Sequence, residues 1–531
     1  MANHKPHILI LPLILIFTTI VTALVYLKIS LPQLACWDEA GFIWVGYQVS
    51  QAIRAGDWQA FFQLSRGQFY YPFFQSWYLG FATLPFGYSI NTARLASLGL
   101  LLPTIILVYW LGRSLDKKGG LLVALFPVFL TLTSPLVLFF YSIALKESLG
   151  LVLTLSSLWL YIISRQSGKK WLFFLTGLNC LILILTKYNY GVLVVGALAV
   201  ESLLWFSLKT NIVLFLPVGV GMFWWLSPQG YLKWFLTILE NKFQYNYYDT
   251  TPLGHLLYYP LEMAFGYTFS WLVFLLLAVG FIRALRDWRD FKIRLLSILF
   301  LVNFALAERH MANNQARYIF TTVPLFFLVS SYGLRDLFFR LKKVFSRPYS
   351  LGFLLPFLLI GTALILRDFL VFPKMIRPTG SHQIGLPAFY EQDFNVVDRY
   401  NFFRDLWPKI PPPKNAEKIE DVFGFILENV DLSKKISLVG SINEFSPGLF
   451  DYYIAKEREK RGITPRQNIY NEFIVAFTVK PGSRFETKDY RLFTGPSARS
   501  ARWELNNPGV VLLEKEEFTY LGIVVEIFGK T

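Results

Sequence analysis

Charge is scarce in this chain of 531 residues: 16% of them are charged, against about 25% in a soluble domain. Cysteine is scarcer still. Cys36 stands beside one apolar run and Cys180 inside another, so neither a disulfide framework nor a zinc-ligand spacing is available. No internal repeat of solenoid period is visible. The two halves of the apolar part also lack mutual similarity, which weighs against a transporter built from repeats. The first apolar run, Ile8–Ile29, is not followed by a good small-residue cleavage site, since Leu34-Ala35-Cys36 is a poor match. It therefore reads as a retained span and not as a signal peptide. Acidic residues are few, and the net charge is +16. Its location excludes a nucleic-acid partner as the cause. From Pro373 onward, 22 Lys and Arg face 21 Asp and Glu, whereas 29 basic and 14 acidic residues precede it. The excess belongs to the apolar part, where it reports topology.

What is abundant is hydrophobic surface: 54% of residues, with 51 Phe, 28 Tyr and 15 Trp. The apolar runs are Ile8–Ile29, Ala93–Leu111, Gly119–Ser134, Ser148–Ile163, Trp171–Leu185, Val192–Leu208, Ile212–Ser227, Ala264–Ile282, Leu295–Leu306, Ile319–Gly333 and Leu351–Phe372. They predict an α-helical polytopic membrane protein of about eleven spans. The run Phe73–Phe86 is too short to cross. The intervening loop, Ser30–Phe69, contains an amphipathic pattern over Glu39–Ala55 that predicts an interfacial helix. The segments Arg113–Lys118, Ser164–Lys170, Lys209, Arg283–Arg294 and Arg335–Arg347 then share one side and hold 3, 3, 1, 5 and 5 basic residues. Basic loops stay in the cytoplasm, which puts the N-terminus inside and the C-terminus outside. After about Pro373 the composition becomes that of a soluble domain. Strands are predicted at Lys435–Gly440, Asn468–Val479 and Tyr520–Phe528, and a helix at Gly448–Arg461. The expected division is a membrane domain, 1–372, and an extracytoplasmic mixed α/β domain, 373–531.

Polar groups collect at the predicted outer ends of the spans. Trp37-Asp38-Glu39-Ala40-Gly41 follows the first span directly, and two carboxylates at a membrane boundary either cap a helix or carry chemistry. Lys146-Glu147, Lys187, His255, Arg309, His310, Arg317 and Tyr318 share that side. Each has a structural alternative: Glu147 as a helix-start charge, Lys187 and Arg317 as snorkelling cations, His255 as an ordinary loop residue. Glu201 lies inside a span and reads as structural, paired toward Lys209 or capping a cavity. A divalent ion, Mg or Mn, on Asp38, Glu39 and Glu147 stands as an alternative to a metal-free site.

The order of short motifs resembles the polytopic GT-C glycosyltransferases, the family of the protein O-mannosyltransferases and the lipid A aminoarabinose transferase. The matching elements are Trp37-Asp38-Glu39-Ala40, Tyr71-Pro72-Phe73-Phe74, Arg94-Leu95, Ala144-Leu145-Lys146-Glu147, Leu185-Thr186-Lys187, and Arg317-Tyr318 followed by Pro324. The second departs from the family pattern, with Tyr71 where a basic residue stands and one proline instead of two. The resemblance covers residues 1–370 and implies an inverting transferase acting on the outer side of the membrane, here the plasma (inner) membrane. Because Lys and Arg alone can stabilise a monophosphate leaving group, no cofactor is expected. Its donor would be a polyprenyl-phosphate-linked sugar and its acceptor a hydroxyl of a lipid, glycan or protein. Asp38 would be the catalytic base with Glu147 beside it. Lys187, Arg317 and His255 would hold the donor phosphate, and Glu39, Tyr71 and Tyr318 would position the acceptor. A flippase for lipid-linked saccharides is the alternative from another class. It would want charges deep in the spans, where Glu201 is the candidate.

Overall fold

The computed structural model describes residues 5–29, 37–68, 72–115, 121–204, 207–239, 259–260, 262–268, 271–310, 316–335, 337, 417–434, 436–439, 447–463, 473–479, 510–518 and 523–530. The predicted span Leu351–Phe372 lies outside them. Helix α1 (Lys5–Ile29) is followed by α2 (Trp37–Ala55), α3 (Trp58–Gly67) and α4 (Phe74–Ala82). The last two have ten and nine residues. At 1.5 Å per residue each is about 15 Å long, half of a bilayer core. Local chemistry sets their bounds. Gly56, at φ 66°, ends α2, because only glycine adopts that conformation without strain. Asp57 then caps α3, accepting a hydrogen bond from the Ala60 N–H at 2.9 Å.

Helices α5 (Ile90–Gly99) and α6 (Leu101–Leu115) form one apolar stretch of 26 residues. Next come α7 (Leu122–Thr133), α8 (Pro135–Tyr141), α9 (Lys146–Ser167), α10 (Lys170–Ile184), α11 (Tyr188–Leu204), α12 (Leu208–Leu226) and α13 (Tyr231–Leu239). A π-helical turn, Glu262–Tyr267, precedes α14 (Trp271–Ala284), α15 (Phe291–His310) and α16 (Val323–Gly333). Among the described residues, Ile90–Leu115, Lys146–Ser167 and Leu208–Leu226 are long and apolar enough to cross a membrane unaided. Shorter apolar helices fill the bundle between them. Small residues let backbones touch, as in lipid-embedded packing. A Cβ on Gly177 of α10 would lie 1.9 Å from the Leu214 carbonyl of α12, and one on Gly333 of α16 would lie 1.8 Å from the Gly280 carbonyl of α14.

The described C-terminal residues form α17 (Glu417–Asn429), β1 (Ile436–Val439), α18 (Pro447–Arg461), β2 (Phe473–Val479), β3 (Val510–Phe518) and β4 (Ile523–Lys530). The sheet order is β1-β2-β4-β3, with β1 parallel to β2 and the other pairs antiparallel. Val422 and Ile426 of α17 are buried, as are Val475 of β2 and Val525 and Ile527 of β4. Strand β3, Val-Val-Leu-Leu-Glu-Lys-Glu-Glu-Phe, escaped the sequence pattern because its apolar and charged residues fall in blocks and a register shift lies between Leu512 and Glu514. Helix α18 sits on α2. The Tyr47 hydroxyl donates to Glu459 at 2.9 Å, Gln51 donates to the other oxygen at 3.3 Å, and the Tyr452 ring meets the Tyr47 ring edge-on.

Candidate active site

Three turns meet at one end of the bundle. They are the start of α4, the α8–α9 junction and the α10–α11 junction. Gln75 of α4 donates to the Leu145 carbonyl at 3.1 Å, and Lys146 donates back to the Pro72 carbonyl at 3.3 Å. The Phe74 N–H donates to the Leu185 carbonyl at 3.0 Å. The segment Pro72–Gln75 thus fastens both junctions, which also carry Glu147 and Lys187. Glu147 stands in the first turn of α9, where the helix dipole favours an anion. Lys187 precedes α11.

These two form an ion pair. Lys187 Nζ donates to Glu147 Oε1 at 2.8 Å, with side-chain exposures of 15% and 2%, so the lysine is the more exposed of the two. Lys187 also donates to the Tyr190 hydroxyl at 3.0 Å and lies 4.2 Å from its ring centre. The Tyr190 hydroxyl donates to the Arg317 carbonyl at 2.6 Å. The 3-10 turn Ala316–Tyr318 is held from its other side by Asn303 of α15, which donates to the Tyr318 carbonyl at 3.0 Å. The Arg317 guanidinium and the Lys187 ammonium lie 5.7 and 5.9 Å from the Tyr318 ring centre. Two cations and two tyrosines are therefore gathered, with the buried Glu147 carboxylate paired to the Lys187 ammonium.

Beside this cluster, Glu39 of α2 and Arg94 of α5 form a fully buried bidentate pair, Nε to Oε1 at 2.7 Å and Nη2 to Oε2 at 2.8 Å. Glu39 Oε1 also accepts from the Ala144 N–H at 2.9 Å. This binds the first turn of α2, where Asp38 stands, to α5 and to the turn that leads into Glu147. A buried pair persists only with such geometry, because each ion alone would carry a large desolvation penalty.

No protein-family profile and no curated sequence relative matches the chain. Solved structures do. ArnT from Cupriavidus metallidurans bound to undecaprenyl phosphate superposes with a TM-score of 0.56 at 14% identity, covering 97% of this chain and 98% of that one. The apo form of the same protein gives 0.54 at 15% identity, with the same coverage. Coverage from end to end decides the architecture. The chain has the GT-C fold.

Within the GT-C fold, the structure brings Glu147, Lys187, Arg317 and Tyr318 near one another. Asp38 falls in the first turn of α2, although its side chain lies outside the described residues, as do Tyr71 and His255. Glu39, expected to position the acceptor, has its carboxylate held by Arg94 and the Ala144 N–H, and none of it is exposed. Glu201 has different partners from those expected: Arg294 holds it bidentately at 2.7 Å and Arg165 joins them, in place of Lys209. This cluster lies at the far ends of α9 and α11 from Glu147 and Lys187, so Glu201 supplies no charge deep in the bundle. Among the described residues no three His, Cys, Asp or Glu side chains cluster. Two of the three carboxylates considered for a divalent ion, Glu39 and Glu147, already face cations of the protein, so this donor set does not fit one. Sequence reasoning missed Gln75, Tyr190 and Asn303. The signal for Tyr190 was its place three residues after Lys187, which is helical spacing once a helix begins there.

Proposed function

We propose that the chain is a membrane glycosyltransferase that moves a sugar from a polyprenyl-phosphate carrier to an acceptor hydroxyl with inversion. The observation that carries this reading is the cluster of Lys187, Arg317 and Tyr318, with Lys187 paired to Glu147, at one end of a GT-C fold shared with a protein seen with undecaprenyl phosphate bound. In the proposed step, the acceptor oxygen attacks the anomeric carbon as its proton passes to a carboxylate. The anomeric C–O bond to phosphate breaks, and its electron pair stays on the phosphate oxygen. Lys187 and Arg317 stabilise that developing charge by charge-assisted hydrogen bonds. Asp38 is the base, because it follows the first span and belongs to the motif that carries the resemblance. Glu147 works through Lys187 in this proposal, because its carboxylate accepts from the Lys187 ammonium and so orients it. Glu39 and Arg94 hold the turn that presents Asp38.

The proposal extends to orientation and division of the chain. The site faces outward, 373–531 is a soluble domain beside it, and the membrane is the plasma (inner) membrane. The acceptor is a lipid, glycan or protein hydroxyl, the lipid bilayer surrounds the spans, and transfer proceeds without a metal. The test uses purified protein and a labelled polyprenyl-phosphate sugar, with sugar release or transfer as readout. Wild-type protein is expected to turn over, with the same rate in chelator. Asp38→Asn keeps size and capping ability, so it separates catalysis from helix capping. Loss of a general base lowers transfer by at least about a hundredfold. Wild-type transfer by Asp38→Asn would remove Asp38 from the mechanism and make Glu147 the next residue to change.

A further inference from the structure

Tyr190 links the two cations of the site, and its hydrogen bonds have a fixed sense. Its one hydroxyl proton goes to the Arg317 carbonyl at 2.6 Å, so the oxygen presents a lone pair to Lys187 at 3.0 Å. Such a link transmits position. Lys187 lies on the α10–α11 junction and Arg317 on a turn between α15 and α16, so nothing in local chain geometry sets their separation. The Arg317–Tyr318 turn is pinned at two successive carbonyls, by Tyr190 on one and by Asn303 on the next. The ring itself is confined, with Tyr190 at 2% exposure. It fills a slot that exists because residue 150 of α9 has no side chain: a Cβ there would lie 2.7 Å from Tyr190 Cδ2.

We propose that Tyr190 is a positioning residue that sets the distance and orientation between Lys187 and Arg317, so that the two cations act as one clamp on a lipid-linked phosphate. The proposal rests on the reading of those cations as the phosphate-binding pair. A clamp of two cations gains from fixed geometry, because ordering two long side chains at the moment of binding is entropically unfavourable. Phenylalanine at 190 would keep the ring and its slot. It would leave the Arg317 carbonyl and the Lys187 ammonium each without this partner. Alanine at 150 would keep the hydroxyl and displace the ring by a few tenths of an ångström or more.

The experiment measures binding of a polyprenyl phosphate to the full-length protein in detergent, with thermal unfolding recorded for every variant. Lys187→Ala is expected to weaken binding by about ten- to a hundredfold, as for loss of a hydrogen bond to a charged group. Tyr190→Phe is expected to weaken it by about fivefold to tenfold, and Gly150→Ala in the same direction. The decisive arm is the double variant. If Tyr190 acts through Lys187, then Tyr190→Phe with Lys187→Ala binds within about twofold of Lys187→Ala alone, because coupled residues are not additive. A merely structural tyrosine would instead lower the unfolding temperature with affinity unchanged, or add its full effect in the double variant, and either result overturns the proposal. Should Tyr190→Phe not fold, Gly150→Ala and its double variant with Lys187→Ala are judged by the same criteria. Wild-type protein that binds no polyprenyl phosphate overturns the phosphate-site reading together with this one. Wild-type protein that binds, alongside a Tyr190→Phe that binds equally well, overturns this one alone.

Discussion

Two adjacent carboxylates in one helical turn, Asp38 and Glu39, illustrate how position alone divides labour between residues. Glu39 is sealed against Arg94 and the Ala144 N–H. Its exchange for glutamine would remove the charge from this buried pair. Breaking a buried pair from one side costs about 3–5 kcal/mol. Glu39→Gln is therefore expected to lower resistance to denaturation by about that amount, with Asp38→Asn close to wild type in the same assay. Denaturant titration of the two variants in one detergent checks this. If Glu39→Gln is as stable as wild type but slow in transfer, then Glu39 belongs to the substrate site after all. The same reasoning applies at the opposite end of the bundle, where Glu201 faces two arginines and holds the ends of α9, α11 and α15 together.

Helix α2 is the element through which the C-terminal residues reach the site. Its Tyr47 and Gln51 side chains donate to Glu459 of α18, and Lys456 donates to the same carboxylate at 2.8 Å. The Lys456 ammonium of α18 itself, and then the Tyr47 and Gln51 bonds from α2, hold the Glu459 carboxyl below the usual glutamate range, so only the smaller share that comes from α2 is gained on docking. A carboxylate with a depressed pKa in the docked state contributes docking stability above its undocked pKa and loses it as pH falls through the docked value. Docking is thus expected to be constant from neutral pH down to about 5 and to weaken below about 4.3, the ordinary glutamate value. Because Glu459 is solvent-exposed, the effect is modest and diminishes with salt. Hydrogen exchange of the α2 amides against pH, in wild type and Glu459→Gln, reads it out. Equal exchange at pH 7 in the two proteins would show that ring packing between Tyr47 and Tyr452 alone holds the helices.

On the scale of the whole molecule, the charge clusters mark two faces. Glu147 and Lys187 begin α9 and α11, whereas Arg165 and Glu201 lie near the ends of those helices. A helix of 22 residues such as α9 is about 33 Å long, enough for the bilayer core. Basic loops then predict the cytoplasmic face. A reporter that works only outside the cytoplasm is expected to be active after Thr531 and silent within Arg283–Arg294. The reverse pattern would move the proposed site to the cytoplasm. Much of this plan was legible in the chain. Span-length apolar runs show because lipid demands an apolar exterior and a hydrogen-bonded backbone along each crossing segment. The short α4, β1 and β2 also fall within the predicted segments, and α2, β4 and α18 overlap theirs to within two residues at one end, because each has its own period of apolar residues. The elements α3, α8, α13, α17 and β3 were not read. They are short, or their apolar residues form blocks, so their stability comes from neighbours.

The division follows from the range of each interaction. The sequence by itself determined that the chain is a helical membrane protein, where its charge lies, and that Asp38, Glu147, Lys187, Arg317 and Tyr318 stand at helix ends. Those properties depend on composition and on residues within a turn or two of each other. Only the tertiary structure decided that Glu39 belongs to Arg94, that Glu201 belongs to Arg294 and Arg165, and that Tyr190 joins Lys187 to the Arg317 turn. Asn303 and Gln75 likewise act on segments remote in the chain. A buried polar group takes whichever partner the packing of distant helices brings within about 3 Å, and that separation is written in no local pattern of the chain.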